Sequence, residues 1–377
     1  MKVGIDFTSA AQPAGIGRYT RSLVGALAAQ NPSDRFSLLT PRQSSQALQP
    51  LLSLPNVTRR ELPVSERILA RIWHRLRLPL FADLLVGGAD VFYAPDFTLP
   101  PLWHAPGVIT VHDLSYRLFP DSYPDSLRTY LETVVPHSVA RAELVLVDSA
   151  ATQQDLFAAY QVDPAKVSVL YCGVAPVFRP QDSQAARQAV RQRYGIEHPY
   201  FLSVGTIQPR KNIARTIAAM QGVVESGLPH HLVHVGRPGW LHEEILDAPR
   251  EHRVSDRVHF LTGVDSDDDL ATLYCGASAF VFPSLYEGFG IPVLEAMACG
   301  TPVITGNISS LPEVAGDAAI LVEPSDVNAI GEALVRLASC ESTREQLIAG
   351  GKKRAARFTW KRAAEELRTH LASVAKS

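Results

Sequence analysis

Short apolar segments alternate with amphipathic, helix-like segments along the chain. The apolar segments of the first half are KVGIDF, RFSLLT, DVFYA, GVITVHD, ELVLVDS and KVSVLY. Those of the second half are YFLSVG, HLVHVG, RVHFLTG, AFVFPS, PVITGN and AAILVEP. Strands this continuously apolar are typical of parallel sheets that helices cover on both faces. The pattern therefore predicts an α/β protein with two doubly wound, Rossmann-like sheets.

The alternation is interrupted once, at residues 174–184, a linker-like segment with two prolines. The length of 377 residues also suits two domains. We predict an N-terminal domain over residues 1–178 and a C-terminal domain over residues 179–355. A C-terminal helix is predicted over residues 356–377, and its return to the N-terminal domain is one option. The helical pattern before it is predicted to break at Gly350 and Gly351.

Composition and charge narrow the class of protein. Hydrophobic residues make up 46% and charged residues 20% of the chain, as in ordinary soluble proteins, and no apolar run approaches the roughly 20 residues of a membrane span. A net charge of −2 offers no general case for nucleic acid binding. The start, MKVGIDF, has the pattern of a strand rather than a signal peptide, which predicts a cytoplasmic protein.

The four cysteines are Cys172, Cys275, Cys299 and Cys340. They are far apart and form no C-x-x-C pair, so neither a zinc cage nor a disulfide framework is indicated. We predict buried thiols at these positions.

The stretch SLYEGFGIPVLEAMACG, residues 284–300, carries the strongest candidate chemistry. Its pattern predicts that Glu287 lies on a loop and that Glu295 lies about one turn into the helix that follows. Gly288 and Gly290 would let the backbone approach a ligand, and a helix N-terminus binds anions. Carboxylates beside a phosphate site should accept hydrogen bonds from sugar or ribose hydroxyl groups. The alternative is that Glu287 is a solvated charge on the loop and that Glu295 caps the helix or pairs with another charge on its surface.

A second candidate loop, TIQPRKN, follows the strand YFLSVG. Asn212 is predicted to cap the next helix, whose apolar face is Ile213, Ile217, Met220 and Val224. Arg210 and Lys211 then precede the helix N-terminus, where cations oppose the helix dipole unless an anion binds between them. A diphosphate would suit this loop, and solvated surface charges are the alternative.

These motifs together resemble one family. VGTIQPRKN, HLVHVGRPGW, VHFLTGVDSDDDLATLY and VFPSLYEGFGIPVLEAMACGTPVI are similar to the nucleotide-sugar half of the retaining glycosyltransferases called group 1. The resemblance implies the GT-B fold, with two Rossmann-like domains facing a central cleft, and an E-x₇-E signature at Glu287 and Glu295. Within the family the chain is most similar to bacterial mannosyltransferase-like enzymes of O-antigen and exopolysaccharide synthesis, which implies GDP-mannose as donor.

The resemblance also implies roles for individual residues. Glu287 would contact the donor sugar, Glu295 the ribose hydroxyl groups, and Lys211 the diphosphate. Backbone groups of Gly288, Phe289 and Gly290 would contact sugar and phosphate, and the segment at Gly263 and Val264 would meet the base. Many members carry arginine where this chain has Thr206, so diphosphate binding is expected to depend on Arg210 and Lys211. No cofactor and no metal are implied.

Gly15 and Gly17 follow the first strand and precede a helix. This is not a dinucleotide fingerprint, because Thr20 stands in place of the third glycine and the next strand ends in Thr40 and Pro41 rather than an acid. The resemblance implies that this glycine loop faces the donor phosphate and the acceptor. A tight turn is the alternative.

His112 ends the strand GVITVHD. A histidine at that position can hydrogen-bond a sugar hydroxyl group, and the resemblance implies that it lies at the donor sugar near the reacting carbon. A structural histidine is the alternative.

Asp265, Ser266 and Asp267 spell D-x-D, a metal motif of a different glycosyltransferase fold. Acids also suit the first turn of a helix, and we predict that role here instead of metal binding.

The segment Arg59–Arg77 has six arginines against two glutamates. Ile68, Ile72 and Leu76 recur every four positions, which predicts a basic amphipathic helix. Such a helix suits peripheral contact with the inner face of an anionic membrane or with a lipid diphosphate acceptor. An ordinary surface helix is the alternative.

The combined prediction is a metal-independent retaining glycosyltransferase that moves a hexose from a nucleotide sugar to a glycan or lipid-linked glycan acceptor. A UDP-sugar-dependent transferase, a nucleotide-sugar epimerase and an inactive nucleotide-sugar-binding protein remain alternatives. Only the transferase needs an acceptor, so product analysis without one separates it from an epimerase.

Overall fold

The computed structural model of the protein describes residues 1–12, 15–42, 49–76 and 78–376. The strands of these residues are β1 Lys2–Asp6, β2 Arg35–Thr40, β3 Val57–Glu61, β4 Val91–Ala94, β5 Gly107–Val111, β6 Leu144–Val147, β7 Val167–Val169, β8 Tyr200–Val204, β9 His231–Val235, β10 Val258–Leu261, β11 Ala279–Phe282, β12 Val303–Gly306 and β13 Ala319–Val322. Every apolar segment singled out in the sequence contains one of these strands, which confirms the predicted alternation.

The α-helices of the described residues lie between and after these strands. They are α1 Ile16–Gln30, α2 Gln49–Leu52, α3 Glu66–Ala70, α4 Ala82–Leu85, α5 Ser115–Leu118, α6 Asp125–Arg141, α7 Ala150–Ala159, α8 Gln184–Arg193, α9 Ile213–Glu225, α10 Glu243–Glu251, α11 Asp267–Gly276, α12 Ile291–Cys299, α13 Leu311–Ala315, α14 Val327–Ser339, α15 Glu341–Ala355 and α16 Trp360–Val374.

The strands form two parallel sheets. One sheet has the order β3-β2-β1-β4-β5-β6-β7, and the other has the order β10-β9-β8-β11-β12-β13. In each sheet the chain moves outward in one direction and then returns to the centre to move outward in the other. Two doubly wound, Rossmann-like domains are therefore confirmed.

The chain divides into two compact units. The N-terminal unit consists of Met1–Leu114, Ser126–Gly173 and Thr359–Ser377, and the C-terminal unit consists of Ser115–Asp125 and Val174–Phe358. Within the N-terminal unit, α16 lies against α1, and Tyr19 meets Trp360 with ring centroids 5.7 Å apart. Each unit buries its own apolar strands and the facing sides of its helices.

Strand β3 was not among the predicted strands. Its sequence, VTRRE, is mostly polar and half-exposed, because it lies at the edge of the sheet and, among the described strands, pairs with β2 alone. The prediction of one basic helix over Arg59–Arg77 is therefore wrong at its start: Arg59 and Arg60 belong to β3. The helical part is α3 continued by a π-helical turn at Arg71–Arg75, and Arg77 lies outside the described residues.

The predicted helix break at Gly350 and Gly351 is also wrong. Helix α15 continues through both glycines and ends at Ala355. A Cβ atom at Gly351 would lie 3.1 Å from the side chain of Met297, and one at Gly350 would lie 3.3 Å from Ala318. The glycines thus allow α15 to pack closely against α12 and its neighbours.

Within the described residues, no helix has both the length and the apolar composition needed to cross a membrane.

Candidate active site

The central strands of the C-terminal unit bring the two candidate donor loops together. Strands β8 and β11 are neighbours, and the chain leaves them in opposite directions, through β9 to β10 and through β12 to β13. Ligands of doubly wound sheets bind outside the carboxyl ends of the strands at such a switch point. The loop after β8 carries Arg210 and Lys211, and the loop after β11 carries Glu287.

Glu287 lies between two cations. Its Oε1 atom is 2.7 Å from Nζ of Lys211, and its Oε2 atom is 3.2 Å from Nη1 of Arg210. Burial by itself raises the pKa of Glu287, but the charges of Lys211 and Arg210 outweigh burial and lower that pKa to about 2. The three side chains, which we call the donor-loop triad, therefore carry a net charge of one positive unit at neutral pH.

Arg210 is only 7% exposed. Its guanidinium donates to the carbonyl oxygen of Tyr286, and its own carbonyl oxygen accepts from Leu285 N at 2.9 Å. Arg210 therefore fastens the loop that carries Glu287. Its contact with a donor phosphate stays a prediction.

Asn212 precedes α9 but does not cap it as predicted. Its φ of 58° is left-handed, and its amide Nδ2 donates to the carbonyl oxygens of Pro283 at 2.9 Å and Pro324 at 2.7 Å. The side chain thus joins the loop after β8 to the loops after β11 and β13.

On α9, Val223 is buried while Val224 is 41% exposed, so the predicted apolar face is shifted by one residue at its end.

The loop Glu287–Gly290 is held by two serines. Ser309 Oγ accepts from the backbone N–H of Glu287 at 3.0 Å, and Ser310 Oγ donates to the carbonyl oxygens of Glu287 at 2.8 Å and Phe289 at 2.7 Å. Gly290 has a φ of 114°, a conformation that favours glycine, and α12 begins directly after it. Gly288, Phe289 and Gly290 thus lie at the positive end of the α12 dipole, as the anion-site interpretation requires.

Glu295 lies in α12 and is 2% exposed. Its Oε2 accepts from the hydroxyl group of Tyr274 on α11 at 3.2 Å. The alternative of an exposed surface charge is therefore excluded for Glu295, and likewise for the buried Glu287. Hydrogen bonding of Glu295 to a ribose stays a prediction.

Two glycines bring the ends of β8 and β9 together beneath Lys211. A Cβ atom at Gly236 would lie 1.8 Å from the carbonyl oxygen of Gly205, so only glycine fits there. Next to them, buried His234 donates through Nε2 to that same carbonyl oxygen at 2.9 Å. Burial and the charge of Lys211 lower the pKa of His234 to about 4, so it is neutral at pH 7. His234 was not among the predicted site residues, although its place near the end of HLVHVG could have drawn attention to it.

Gly263 and Val264 follow β10, which β9 separates from β8 in the sheet. They lie at the same carboxyl edge as the donor-loop triad but not beside it. The acids after them behave as predicted: Asp267, Asp268 and Asp269 occupy the first turn of α11, and Ser266 caps it by accepting from Asp269 N at 3.4 Å. No group of three or more candidate ligands that could hold a metal ion occurs among the described residues.

In the N-terminal unit, His112 is buried between acceptors. Its Nδ1 is 2.7 Å from Oδ2 of Asp148, and its Nε2 is 3.0 Å from the carbonyl oxygen of Pro95. Burial by itself lowers the pKa of His112, but the carboxyl groups of Asp148 and Asp96 outweigh burial and raise that pKa to about 9. An imidazolium can donate from both nitrogens, which fits the two acceptors. We call His112, Asp148 and Asp96 the histidine cluster.

The protein itself occupies both ring nitrogens of His112, so a hydrogen bond from this ring to a sugar would have to replace one of these contacts. Asp148 was not among the predicted site residues, although it directly follows β6, just as His112 directly follows β5, with which β6 pairs.

The glycine loop of the N-terminal unit lies at the carboxyl end of β1. Gly15 has a φ of 58°, and a Cβ atom at Gly17 would lie 2.1 Å from the carbonyl oxygen of Gln12. Both positions therefore need glycine. Helix α1, which starts after Gly15, carries Tyr19, and the Tyr19 ring meets His112 edge-on with centroids 4.7 Å apart. The two predicted features of this unit are thus neighbours.

Comparison with known proteins covers both units. A family model described as "Glycosyl transferases group 1" matches residues 186–354, and one described as "Glycosyltransferase Family 4" matches residues 13–178. The resemblance inferred from the motifs is confirmed.

Among characterised relatives, O-antigen chain mannosyltransferase B of Escherichia coli is 32% identical over 272 residues, which cover 72% of this chain and 71% of that protein. O-antigen chain mannosyltransferase RfbU of Salmonella typhimurium is 31% identical over 281 residues, which cover 73% of each chain. Serotype-specific mannosyltransferase WbdA of Escherichia coli is 31% identical over 260 residues, which cover 67% of this chain but 32% of that longer protein.

Solved structures show the same architecture. Sucrose-phosphate synthase from Thermosynechococcus elongatus has a TM-score of 0.76 at 20% identity, covering 99% of both chains. Anabaena HepE, solved with UDP and glucose, has a TM-score of 0.74 at 17% identity, covering 99% of this chain and 100% of that one. WaaG, a glycosyltransferase involved in lipopolysaccharide biosynthesis, has a TM-score of 0.72 at 19% identity, covering 98% and 99%. These likenesses show that the fold is the predicted GT-B fold.

Proposed function

Because the chain belongs to the group 1 glycosyltransferases, we propose that it transfers mannose from GDP-mannose to a glycan or lipid-linked glycan acceptor, with retention of configuration and without a metal ion. The mannosyltransferase names of its relatives support the choice of sugar, and their O-antigen context supports the class of acceptor.

The donor-loop triad carries this proposal. A buried cluster with one surplus positive charge, at the switch point of a doubly wound sheet and next to the N-terminus of α12, has the charge and the position to bind a diphosphate. Lys211 supplies a point charge with three donors, and Arg210 keeps Glu287 and its loop in place. Glu287 and Glu295 then act as hydrogen-bond acceptors for the hydroxyl groups of the donor.

In the proposed reaction the bond between the anomeric carbon and the phosphate oxygen breaks, and the acceptor oxygen bonds to that carbon from the same face. The acceptor proton passes to an oxygen of the departing diphosphate. Lys211 and the start of α12 stabilise the negative charge on that diphosphate, which is the task that a metal ion performs in other transferases. Glu287, with its lowered pKa, remains an acceptor and is not a proton donor.

The donor is tested by calorimetry of GDP, UDP, ADP and their common sugar conjugates against the purified protein in chelator. We expect selective binding of GDP-mannose, with GDP alone retaining much of the affinity. A preference for UDP would keep the reaction class but discard GDP-mannose. No nucleotide binding would contradict the proposal.

The reaction is tested by proton NMR of the product. An α-linked mannoside formed only in the presence of acceptor is the expected result. Interconversion of nucleotide sugars without acceptor would identify an epimerase instead.

The surface around α3 supports the further proposal that the enzyme works at the inner face of a membrane with anionic lipids. Leu69 and Trp73 are buried, whereas Ile68 and Leu76 are exposed, the latter by 61%. Exposed arginines share this stretch, namely Arg67, Arg71 and Arg75. Exposed apolar residues follow it at Leu78, Leu84 and Trp103. Apolar insertion together with cationic attraction to lipid headgroups is the physical basis of such contacts.

Flotation with phosphatidylglycerol vesicles checks this contact, with phosphatidylcholine vesicles as the control. Binding to the anionic vesicles should be lost in the variant R67E/R71E. Equal flotation of this variant and the wild type would contradict the contact.

A further inference from the structure

Two cysteines that are 24 positions apart in the sequence lie side by side in the C-terminal unit. Cys275 is near the end of α11, and Cys299 is the last residue of α12. The Cys275 sulfur is 3.6 Å from the carbonyl oxygen of Cys299 and 3.5 Å from the carbonyl oxygen of Arg179. Cys275 is half-buried and Cys299 is buried, so the Cys275 thiol is partly accessible to solvent. The prediction of buried thiols is thus confirmed for Cys172 and Cys299 and wrong for Cys275 and Cys340, which lie near helix ends.

Backbone contacts hold the two helix ends together. The hydroxyl group of Thr301, two residues after Cys299, donates to the carbonyl oxygen of Tyr274 at 2.6 Å, and its N–H donates to the carbonyl oxygen of Ala296 at 2.9 Å. Gly300, with a φ of 80°, ends α12 between them. The proximity of Cys275 to Cys299 is therefore a property of packed helices and not of a loose loop.

The first thiol is also the more acidic one. The neighbouring Cys299 thiol and the charge of Arg187 outweigh burial and lower the pKa of Cys275 to about 7, whereas Cys275 and burial raise the pKa of Cys299. A large fraction of Cys275 is then thiolate at neutral pH, and the thiolate is the form that attacks disulfides. Cys340 has a similarly lowered pKa of about 7. The neighbours of its sulfur are hydroxyl groups rather than another thiol: Oγ of Ser342 is 3.4 Å away, and Oγ1 of Thr343 is 3.1 Å away.

We propose that Cys275 and Cys299 form a reversible disulfide with glutathione disulfide as oxidant, and that this bridge weakens donor binding at Glu295. The Cys275 thiolate attacks one sulfur of glutathione disulfide and releases one glutathione thiolate. Cys299, after losing its proton to solvent, attacks the Cys275 sulfur of the mixed disulfide and releases the second glutathione. Two protein thiols are oxidised and one glutathione disulfide is reduced.

The path from the bridge to the donor site is short. Tyr274, next to Cys275, donates to Glu295, and Glu295 lies four residues before Cys299, hence on the same face of α12. A covalent bond between the helix ends changes the separation of α11 and α12 where this hydrogen bond joins them. This second half of the inference rests on the proposed function of Glu295, whereas formation of the bridge does not.

Bridge formation is tested in the full chain carrying Cys340→Ser, so that this second half-buried thiol does not compete. The reduced protein is treated with glutathione disulfide, the remaining thiols are alkylated, and peptides are mapped by mass spectrometry. We expect a linked pair of peptides containing Cys275 and Cys299, with no retained glutathione. Adding Cys299→Ser should instead leave a stable glutathione adduct on Cys275. Alkylation of both cysteines after treatment would overturn the bridge.

Coupling to the donor site is tested by titrating GDP-mannose into the reduced and the bridged protein. We expect affinity to fall by about fivefold or more on bridging, and to recover with dithiothreitol. Equal affinity of the two forms would overturn the coupling. If neither form binds GDP-mannose, the proposed function fails, and the peptide map still decides whether the bridge forms.

Discussion

The two units contain buried ionic clusters of opposite character. In the C-terminal unit one carboxylate, Glu287, lies between two cations, and its pKa is lowered to about 2. In the N-terminal unit one imidazolium, His112, lies among carboxyl groups, and its pKa is raised to about 9. The residues of each cluster lie just after the carboxyl ends of neighbouring strands in a doubly wound sheet.

The difference lies in the surplus charge. The donor-loop triad has one positive charge more than it has negative charges, so it favours an anion such as a diphosphate. The histidine cluster has no surplus positive charge, since Asp148 and Asp96 face a single cation. It would not attract a phosphate, and both ring nitrogens of His112 already bond within the protein.

Removal of the surplus charge should give the largest effect. Lys211→Ala leaves Glu287 with Arg210 alone, so the triad becomes neutral. Turnover should fall by about 10²–10³-fold, as when one transition-state donor is removed from other enzymes. The measurement is steady-state mannosyl transfer at saturating donor.

Lys353→Ala is the matched control, because Lys353 is an exposed lysine in the last turn of α15 and should leave turnover unchanged. Circular dichroism should show that both variants are folded. Wild-type turnover in Lys211→Ala would remove the basis for assigning the diphosphate to this triad.

The carboxylate of α12 should show the next effect. Glu295→Gln keeps the shape of the side chain but removes its charge, so donor affinity should fall by about tenfold, the lower range for a hydrogen bond to a charged group. Calorimetry with the preferred nucleotide sugar measures this loss.

Tyr274→Phe provides the comparison, because it removes the hydroxyl group that donates to Glu295 and leaves the carboxylate in place. Its loss of affinity should be smaller than that of Glu295→Gln. The opposite order would indicate that Glu295 only anchors α11.

Much of the fold was accessible from the sequence because the central strands are apolar throughout. The strand β3 was not, since an edge strand such as VTRRE needs no apolar face on its outer side. The glycines of α15 misled because a glycine that ends a helix and one that allows close packing look alike in one sequence. Burial and helix packing decide between these two roles.

The sequence reveals the motifs of the candidate site but not which of their side chains contact each other. Lys211 and Glu287 were each predicted to face a ligand, and their direct pairing across 76 positions emerges only when β8 and β11 are placed side by side. The same holds for His112 with Asp148 and for Cys275 with Cys299. All three pairs depend on the order of the strands in each sheet and on the packing of the helices against it. A single sequence does not determine either of these uniquely.

The histidine cluster should make stability depend on pH in the alkaline range. The pKa of His112 is about 9 in the folded protein against an ordinary 6.5, so its contribution to the free energy of unfolding is fully present below pH 6.5 and is lost as pH rises through 9. Asp148→Asn should remove most of this dependence, which amounts to about 1–3 kcal/mol. Urea unfolding followed by tryptophan fluorescence at a series of pH values measures it.

Glu287→Gln gives the contrasting case. The pKa of Glu287 is about 2 against an ordinary 4.5, so its contribution is present above pH 4.5 and is lost as pH falls through 2. This variant should alter the acid limb of the stability profile and leave the alkaline limb intact. An unchanged alkaline limb in Asp148→Asn would show that His112 is not charged in the folded protein.

The smallest effect is expected from metal ions. In the proposed reaction, the surplus charge of the donor-loop triad offers the departing diphosphate the stabilisation that a divalent cation gives elsewhere. The D-x-D acids are engaged otherwise: Asp267 lies in the first turn of α11, and Asp265 pairs with Arg237 at 2.6 Å on the surface. Turnover in chelator, in Mg²⁺ and in Mn²⁺ should therefore agree within about twofold, and so should that of Asp265→Asn. Activity that disappears in chelator and returns with Mn²⁺ would mean that the cations of the C-terminal unit are not sufficient for the leaving group.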